Sequence, residues 1–124
     1  MKVSVMSQSE ASLYEPRKGS KAAIIRISDK IDILPKLLYD YFLTYGIEFY
    51  DVRQLMRLPS NWNPFSPSDA ELIHKWFQQI KENNIEELVI HCHAGVSRSS
   101  AIGIAFGWFM NDNSIIDDIF KRMD

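Results

Sequence analysis

The chain has one cysteine, Cys92, so it holds no internal disulfide and suits a reducing compartment. Excess charge is also lacking. Fourteen Lys and Arg against sixteen Asp and Glu leave a net charge of -2, and no basic run is there to hold nucleic acid. Long apolar runs are absent too. The longest, Ala101 to Met110, is far too short to span a bilayer. The start, Met1-Lys2-Val3-Ser4-Val5-Met6-Ser7-Gln8, lacks the apolar core of a secretory signal. These absences point to the cytoplasm, with neither nucleic acid nor membrane as partner. No internal repeat or low-complexity segment occurs, and 124 residues suffice for one core rather than two.

What is present alternates between strand and helix patterns. Lys2 to Met6 reads as a short strand, and Ser7-Gln8-Ser9-Glu10 as a capped start to a helix through Tyr14. Glu15 to Ser20 is a turn with Pro16 and Gly19 as punctuation. Ala22-Ala23-Ile24-Ile25-Arg26-Ile27 is a nearly continuous apolar run, as in a strand covered on both faces, and Ser28-Asp29-Lys30 ends it. Leu34, Leu37, Leu38, Tyr41, Phe42 and Tyr45 recur at helical spacing, which predicts a helix closed by Gly46. A strand is expected over Ile47 to Val52, then a loop from Arg53 to Pro67, long enough to suggest a functional role.

Ser68-Asp69-Ala70-Glu71 is a capping-box candidate. It opens a helix to about Asn83 with Leu72, Ile73, Trp76, Phe77 and Ile80 inward. A strand over Glu87 to Ile90 follows, then a small-residue helix from Ser99 to Met110. The last helix, Ile115 to Met123, is expected to be capped by Asn113-Ser114. The pattern predicts an α/β sandwich, one domain over residues 1–124, with a mostly parallel central sheet flanked by helices.

The chemistry gathers in Leu88-Val89-Ile90-His91-Cys92-His93-Ala94-Gly95-Val96-Ser97-Arg98-Ser99, a strand, a tight loop and a helix start. A loop of this kind turns successive N–H groups inward into an anion site, and the helix N-terminus adds its dipole. Arg98 offers a planar fork of donors for two phosphate oxygens. Cys92 would lie at the bottom, in surroundings that favour a nucleophilic thiolate. A metal cluster of His91, Cys92 and His93 is not expected. Neighbours on a strand point to opposite faces, no second cysteine exists, and His74 stands alone on a helix.

His91, Cys92, Gly95, Arg98 and Ser99 agree in identity and spacing with the phosphate-binding loop of cysteine-dependent protein tyrosine and dual-specificity phosphatases, which this stretch resembles. Val3-Ser4-Val5 and Ile25-Arg26-Ile27-Ser28-Asp29 also look like small bacterial and phage-type members. The resemblance implies the same sandwich and hydrolysis of phosphate monoesters through a phosphocysteine. Cys92 would be the nucleophile. Arg98 and the N–H groups of His93, Ala94, Gly95, Val96 and Ser97 would hold the phosphate. Ser99 would donate to the thiolate, as well as or instead of capping the helix, and His91 would orient the loop through backbone hydrogen bonds. No metal or cofactor is implied.

The family's general acid is an aspartate on a loop before the cysteine, whereas Leu58 to Asn63 here hold no carboxylate. Asp51, after Phe49-Tyr50 at a strand end, is the first substitute. Asp69 is the second, although a first-turn carboxylate also serves the helix dipole. Residues 93–97 carry no lysine, unlike the loops of related phosphoinositide phosphatases, and no basic run favours RNA. A phosphotyrosine or other phosphoprotein substrate is therefore expected. Tyr50, Trp62 and Phe65 are candidates to wall it, or to pack internally. The alternative is a phosphate-binding module with little turnover.

Overall fold

The structure, a computed structural model, describes residues 1–49, 65–94 and 97–123. Its strands are β1 (Lys2–Ser7), β2 (Ala22–Ser28), β3 (Leu43–Glu48) and β4 (Glu87–Cys92), all parallel and in the spatial order β1-β4-β2-β3. All six residues of β4 are buried, as expected of an apolar run enclosed by neighbours and helices on both sides. The α/β sandwich expected from the alternating pattern is present, with its sheet wholly parallel.

Successive side chains of a strand face opposite ways, and this divides the core in two. Leu88, Ile90 and Cys92 join Ile25 and Ile27 beneath the helices α2 (Pro67–Glu82), α3 (Arg98–Phe109) and α4 (Asn113–Met123). Phe77 and Phe106 meet edge-to-face there, with ring centroids 5.1 Å apart. The other face is smaller. Met6, Ile24 and Val89 pack on Ala11 of α1 (Gln8–Leu13) and on Tyr14, Leu37 and Tyr41. Gly103 lets α4 approach α3 closely: a Cβ there would stand 2.6 Å from Ile119 Cδ1 and 3.3 Å from Val5 Cγ2.

The helix expected over Leu34 to Tyr45 does not form. A 3-10 turn, Ile31–Ile33, precedes Pro35, which disfavours helical backbone at Leu34. The periodic residues share no buried face: Leu38 is 63% and Phe42 55% exposed, while Leu37 and Tyr41 pack beneath the sheet. Leu43–Glu48 pairs with β2 instead, so the third strand begins four residues earlier than Ile47. Gly46 stands opposite Arg26 in that pairing rather than closing a helix.

Two caps also differ from expectation. Ser66, with Pro67 next to it, caps α2: its Oγ accepts from Asp69 N at 3.2 Å, and Asp69 Oδ2 accepts from Ser66 N at 2.9 Å. Asp112 receives the N–H of Ser114 at 3.0 Å and its hydroxyl at 2.6 Å, placing the cap before Asn113. Ile73, Trp76, Phe77 and Ile80 are buried as expected, but Leu72 is 41% exposed. No helix among the described residues is long and apolar enough to cross a membrane.

Candidate active site

A parallel sheet brings the carboxyl ends of its strands to one edge, where ligands bind in open α/β sheets. Cys92 is the last residue of β4 and stands beside Ser7, the last of β1. It is not in a disulfide, and it is 2% exposed. Its Sγ lies 3.2 Å from Ser99 Oγ, the hydroxyl of a fully buried side chain in the first turn of α3. Ser99 is thus inside the helix, with its hydroxyl turned to the sulfur. It does not serve as the N-cap; that position is Ser97, whose side chain makes no capping bond.

Arg98 opens α3 and is fixed by the ends of two other strands. Its Nη1 donates to Asp29 Oδ1 at 2.7 Å and to the Phe49 carbonyl at 2.8 Å. Asp29 follows β2 and Phe49 follows β3, so the guanidinium is tied to the same sheet edge as Cys92. Its side chain is only 9% exposed, against 34% for Asp29. Among the described residues only Nη1 is engaged, and Nε with Nη2 is the pair whose geometry suits two oxygens of one oxyanion. Phe65 meets Phe49 edge-to-face at 4.8 Å, which sets an aromatic ring beside this corner.

His91 faces the opposite side of the sheet from Cys92 and is wholly buried. Its Nε2 accepts from Arg26 Nε at 3.0 Å, and Arg26 Nη2 donates to the Pro35 carbonyl at 2.6 Å. A guanidinium only donates, so Nε2 must carry the lone pair and Nδ1 the proton. Nδ1 is buried without a close hydrogen-bond partner among the described residues. Burial above all, and then the nearby Arg26 charge, push the His91 pKa down to about 4, with a weak opposing pull from the Cys92 backbone. The ring is neutral at pH 7.

The remaining candidates divide. His93 and Ala94 are exposed, and the His93 carbonyl accepts from Gln8 N at 3.3 Å, tying the loop to the start of α1. Gly95, Val96, Tyr50, Asp51 and Trp62 lie outside the described residues. Asp69 is committed to the cap of α2. His74 is exposed and stacks edgewise on Phe109 at 5.5 Å. No group of three metal-ligating side chains occurs among the described residues.

Two residues were overlooked in the sequence. Asp29 ends a parallel strand, the edge at which a carboxylate can reach a ligand loop. Arg26 is a cation inside an apolar strand, a placement that calls for a partner.

No protein-family model matches the chain. One similar solved structure is that of Tk-PTP in the active form, at 15% sequence identity and a TM-score of 0.48, covering 98% of this chain and 79% of that one. A likeness at that level carries no argument about chemistry, which must rest on the residues themselves.

Proposed function

We propose that the protein is a cysteine-dependent phosphatase that hydrolyses phosphate monoesters, with phosphotyrosine or another phosphoprotein residue as substrate. The observation that carries this reading is the 3.2 Å contact of Cys92 Sγ with Ser99 Oγ, made seven residues after the cysteine by the helix that Arg98 opens. The sulfur attacks phosphorus in line, forming an S–P bond as the P–O bond to the leaving group breaks. Arg98 and the loop N–H groups hold the equatorial oxygens, where transition-state charge gathers. Asp51 protonates the departing oxygen. Water then attacks phosphorus, giving a proton to the Asp51 carboxylate as the S–P bond breaks, and the Ser99 hydroxyl stabilises the departing thiolate. The reaction asks nothing of a metal or cofactor. A thiol that must stay reduced favours a cytoplasmic setting.

A second reading is a phosphate-binding module with little turnover. One observation favours it: of the two candidate acids, Asp69 is occupied in a helix cap. Hydrolysis of p-nitrophenyl phosphate, whose leaving group scarcely needs an acid, separates the two. Wild type is expected to turn it over, and Cys92→Ser to fall to background while still binding vanadate. Substantial activity in purified Cys92→Ser protein would discard the mechanism. Absence of turnover in wild type, with vanadate still bound, would favour the binding module.

A further inference from the structure

We propose that Arg26 is a positioning residue for the cysteine loop: its Nε–H holds His91 as the Nδ1–H tautomer, and its guanidinium sets a positive charge one strand away from the strand that delivers Cys92. The inference rests on reading Cys92 as the nucleophile. Arg26 lies within β2, whose other residues are all buried, and it faces His91 directly in the parallel pairing. Its acceptors are neutral, the His91 ring and the Pro35 carbonyl. A partly buried cation held by neutral acceptors is costly, and an apolar side chain of similar length would fill the same space without that cost.

The groups around His91 leave Arg26 as the charged one. β1 presents Met6, α1 presents Ala11, and the chain before β3 presents Leu37 and Tyr41. Tyr41 titrates, but burial pushes it up to about 12, so it is neutral over the working range. The buried carboxylate on this face, Glu87 at the far end of β4, is held by Lys2, the Tyr14 hydroxyl and the Arg17 N–H, so among the described residues Arg26 is the charge that bears on the Cys92 end of the strand. A positive charge favours an anion, here the Cys92 thiolate. With its Nε2 lone pair engaged by the Arg26 N–H, the His91 ring does not compete with Arg26 for that role by taking up a proton of its own.

Two measurements on the intact chain test this, and neither needs turnover. Long-range proton–nitrogen NMR of wild type is expected to show His91 protonated at Nδ1 alone and not titrating between pH 5 and 8. A ring protonated at Nε2, or one that titrates near 6.5, overturns the proposal whatever any variant does.

Alkylation of Cys92 by iodoacetamide against pH reads the second half. Arg26→Met is expected to react roughly fivefold more slowly near pH 6, the effect of one unit charge at about 10 Å in partly solvated protein. Arg26→Lys, which keeps the charge, is expected to recover most of that rate. A folded Arg26→Met protein with the wild-type alkylation profile overturns the proposal, as does an Arg26→Lys profile no better than that of Arg26→Met. If wild type fails to hydrolyse p-nitrophenyl phosphate while both expectations here hold, the proposed activity falls and the positioning of the thiol stands.

Discussion

Arg98 and Arg26 meet the same problem with different partners. Each donates to a backbone carbonyl, Phe49 for one and Pro35 for the other. Each also reaches across the sheet, Arg98 to the carboxylate of Asp29 and Arg26 to the neutral ring of His91. Arg98 is balanced at one nitrogen by an anion and still presents an edge on which an oxyanion fits. Both acceptors of Arg26 are neutral, and burial lowers its pKa. On the proposed reading Arg98 receives a dianion, and a guanidinium in that role needs a partial counterion and a fixed plane. One that acts as a standing charge on a nearby strand needs neither.

The comparison is broken most directly by exchanging each arginine for lysine. Vanadate binds the folded state alone and so raises the melting temperature, by the equivalent of about 2.7 kcal/mol at a hundredfold excess over its dissociation constant. Arg98→Lys is expected to remove most of that shift, because an ammonium cannot reproduce the two-pronged contact. Arg26→Lys is expected to keep most of it. Equal losses in both variants would mean that the arginines are not divided in role.

Acid stability sharpens the other half. The folded pKa of His91, about 4, lies below its ordinary 6.5, so the unfolded chain takes up a proton first as the pH falls. The stability tied to the neutral ring is complete above 6.5, declines through the window down to about 4, and falls no further below it. The amount is on the order of 3 kcal/mol. Urea titrations at stepped pH should show His91→Gln with a flatter decline across that window than wild type. Arg26→Met should recover only part of the loss, since burial is the larger cause. Parallel slopes for wild type and His91→Gln would refute a neutral buried ring.

What could be read in advance follows from distance along the chain. Cys92, Arg98 and Ser99 fall within eight residues, so their identities and spacing were legible before any fold was known. Three strands were legible as short apolar runs. Asp29 and Arg26 were not, because their partners lie 69 and 65 residues away and meet them only through the sheet order. The failed helix is instructive in another way. Its period was real, but Pro35 and pairing of Leu43–Glu48 with β2 outweighed a pattern whose Leu38 and Phe42 remain in solvent. The cap of α2 was misplaced by two residues because Ser66 and Ser68 both precede a carboxylate by three.

The general acid extends the comparison to the leaving group. A tyrosyl oxygen, with a pKa near 10, needs a proton as its bond to phosphorus breaks. Asp51→Asn is expected to slow a phosphotyrosine peptide by roughly two powers of ten, and an ester of a much more acidic phenol far less. Asp69→Asn is expected to leave both rates close to wild type and to cost about 1 kcal/mol of stability through the weakened cap. Steady-state kinetics on the two substrates and melting curves decide it. A leaving-group-dependent loss in Asp69→Asn but not in Asp51→Asn would reverse the assignment.

The smallest expected effect concerns Asp29, and its sign carries the information. A hydrogen bond to a charged partner is worth about 1.5–3 kcal/mol. Here the carboxylate is a third exposed and Phe49 holds the same nitrogen, so solvent and the second acceptor reduce that value. Asp29→Ala is expected to lower kcat/KM by roughly tenfold or less, as the guanidinium plane loosens. Asp29→Asn keeps an oxygen that accepts from Nη1 while removing the negative charge beside the phosphate site. Orientation then survives and repulsion of the incoming dianion does not, so vanadate should bind more tightly and kcat should stay within a few-fold of wild type. Changes of the same sign in both variants would mean that charge alone matters. No change in either would mean that the Phe49 carbonyl is sufficient to hold Arg98. A loss in Asp29→Asn that grows with the leaving-group pKa would transfer the acid's role to Asp29 and remove the distinction between a braced arginine and a free one.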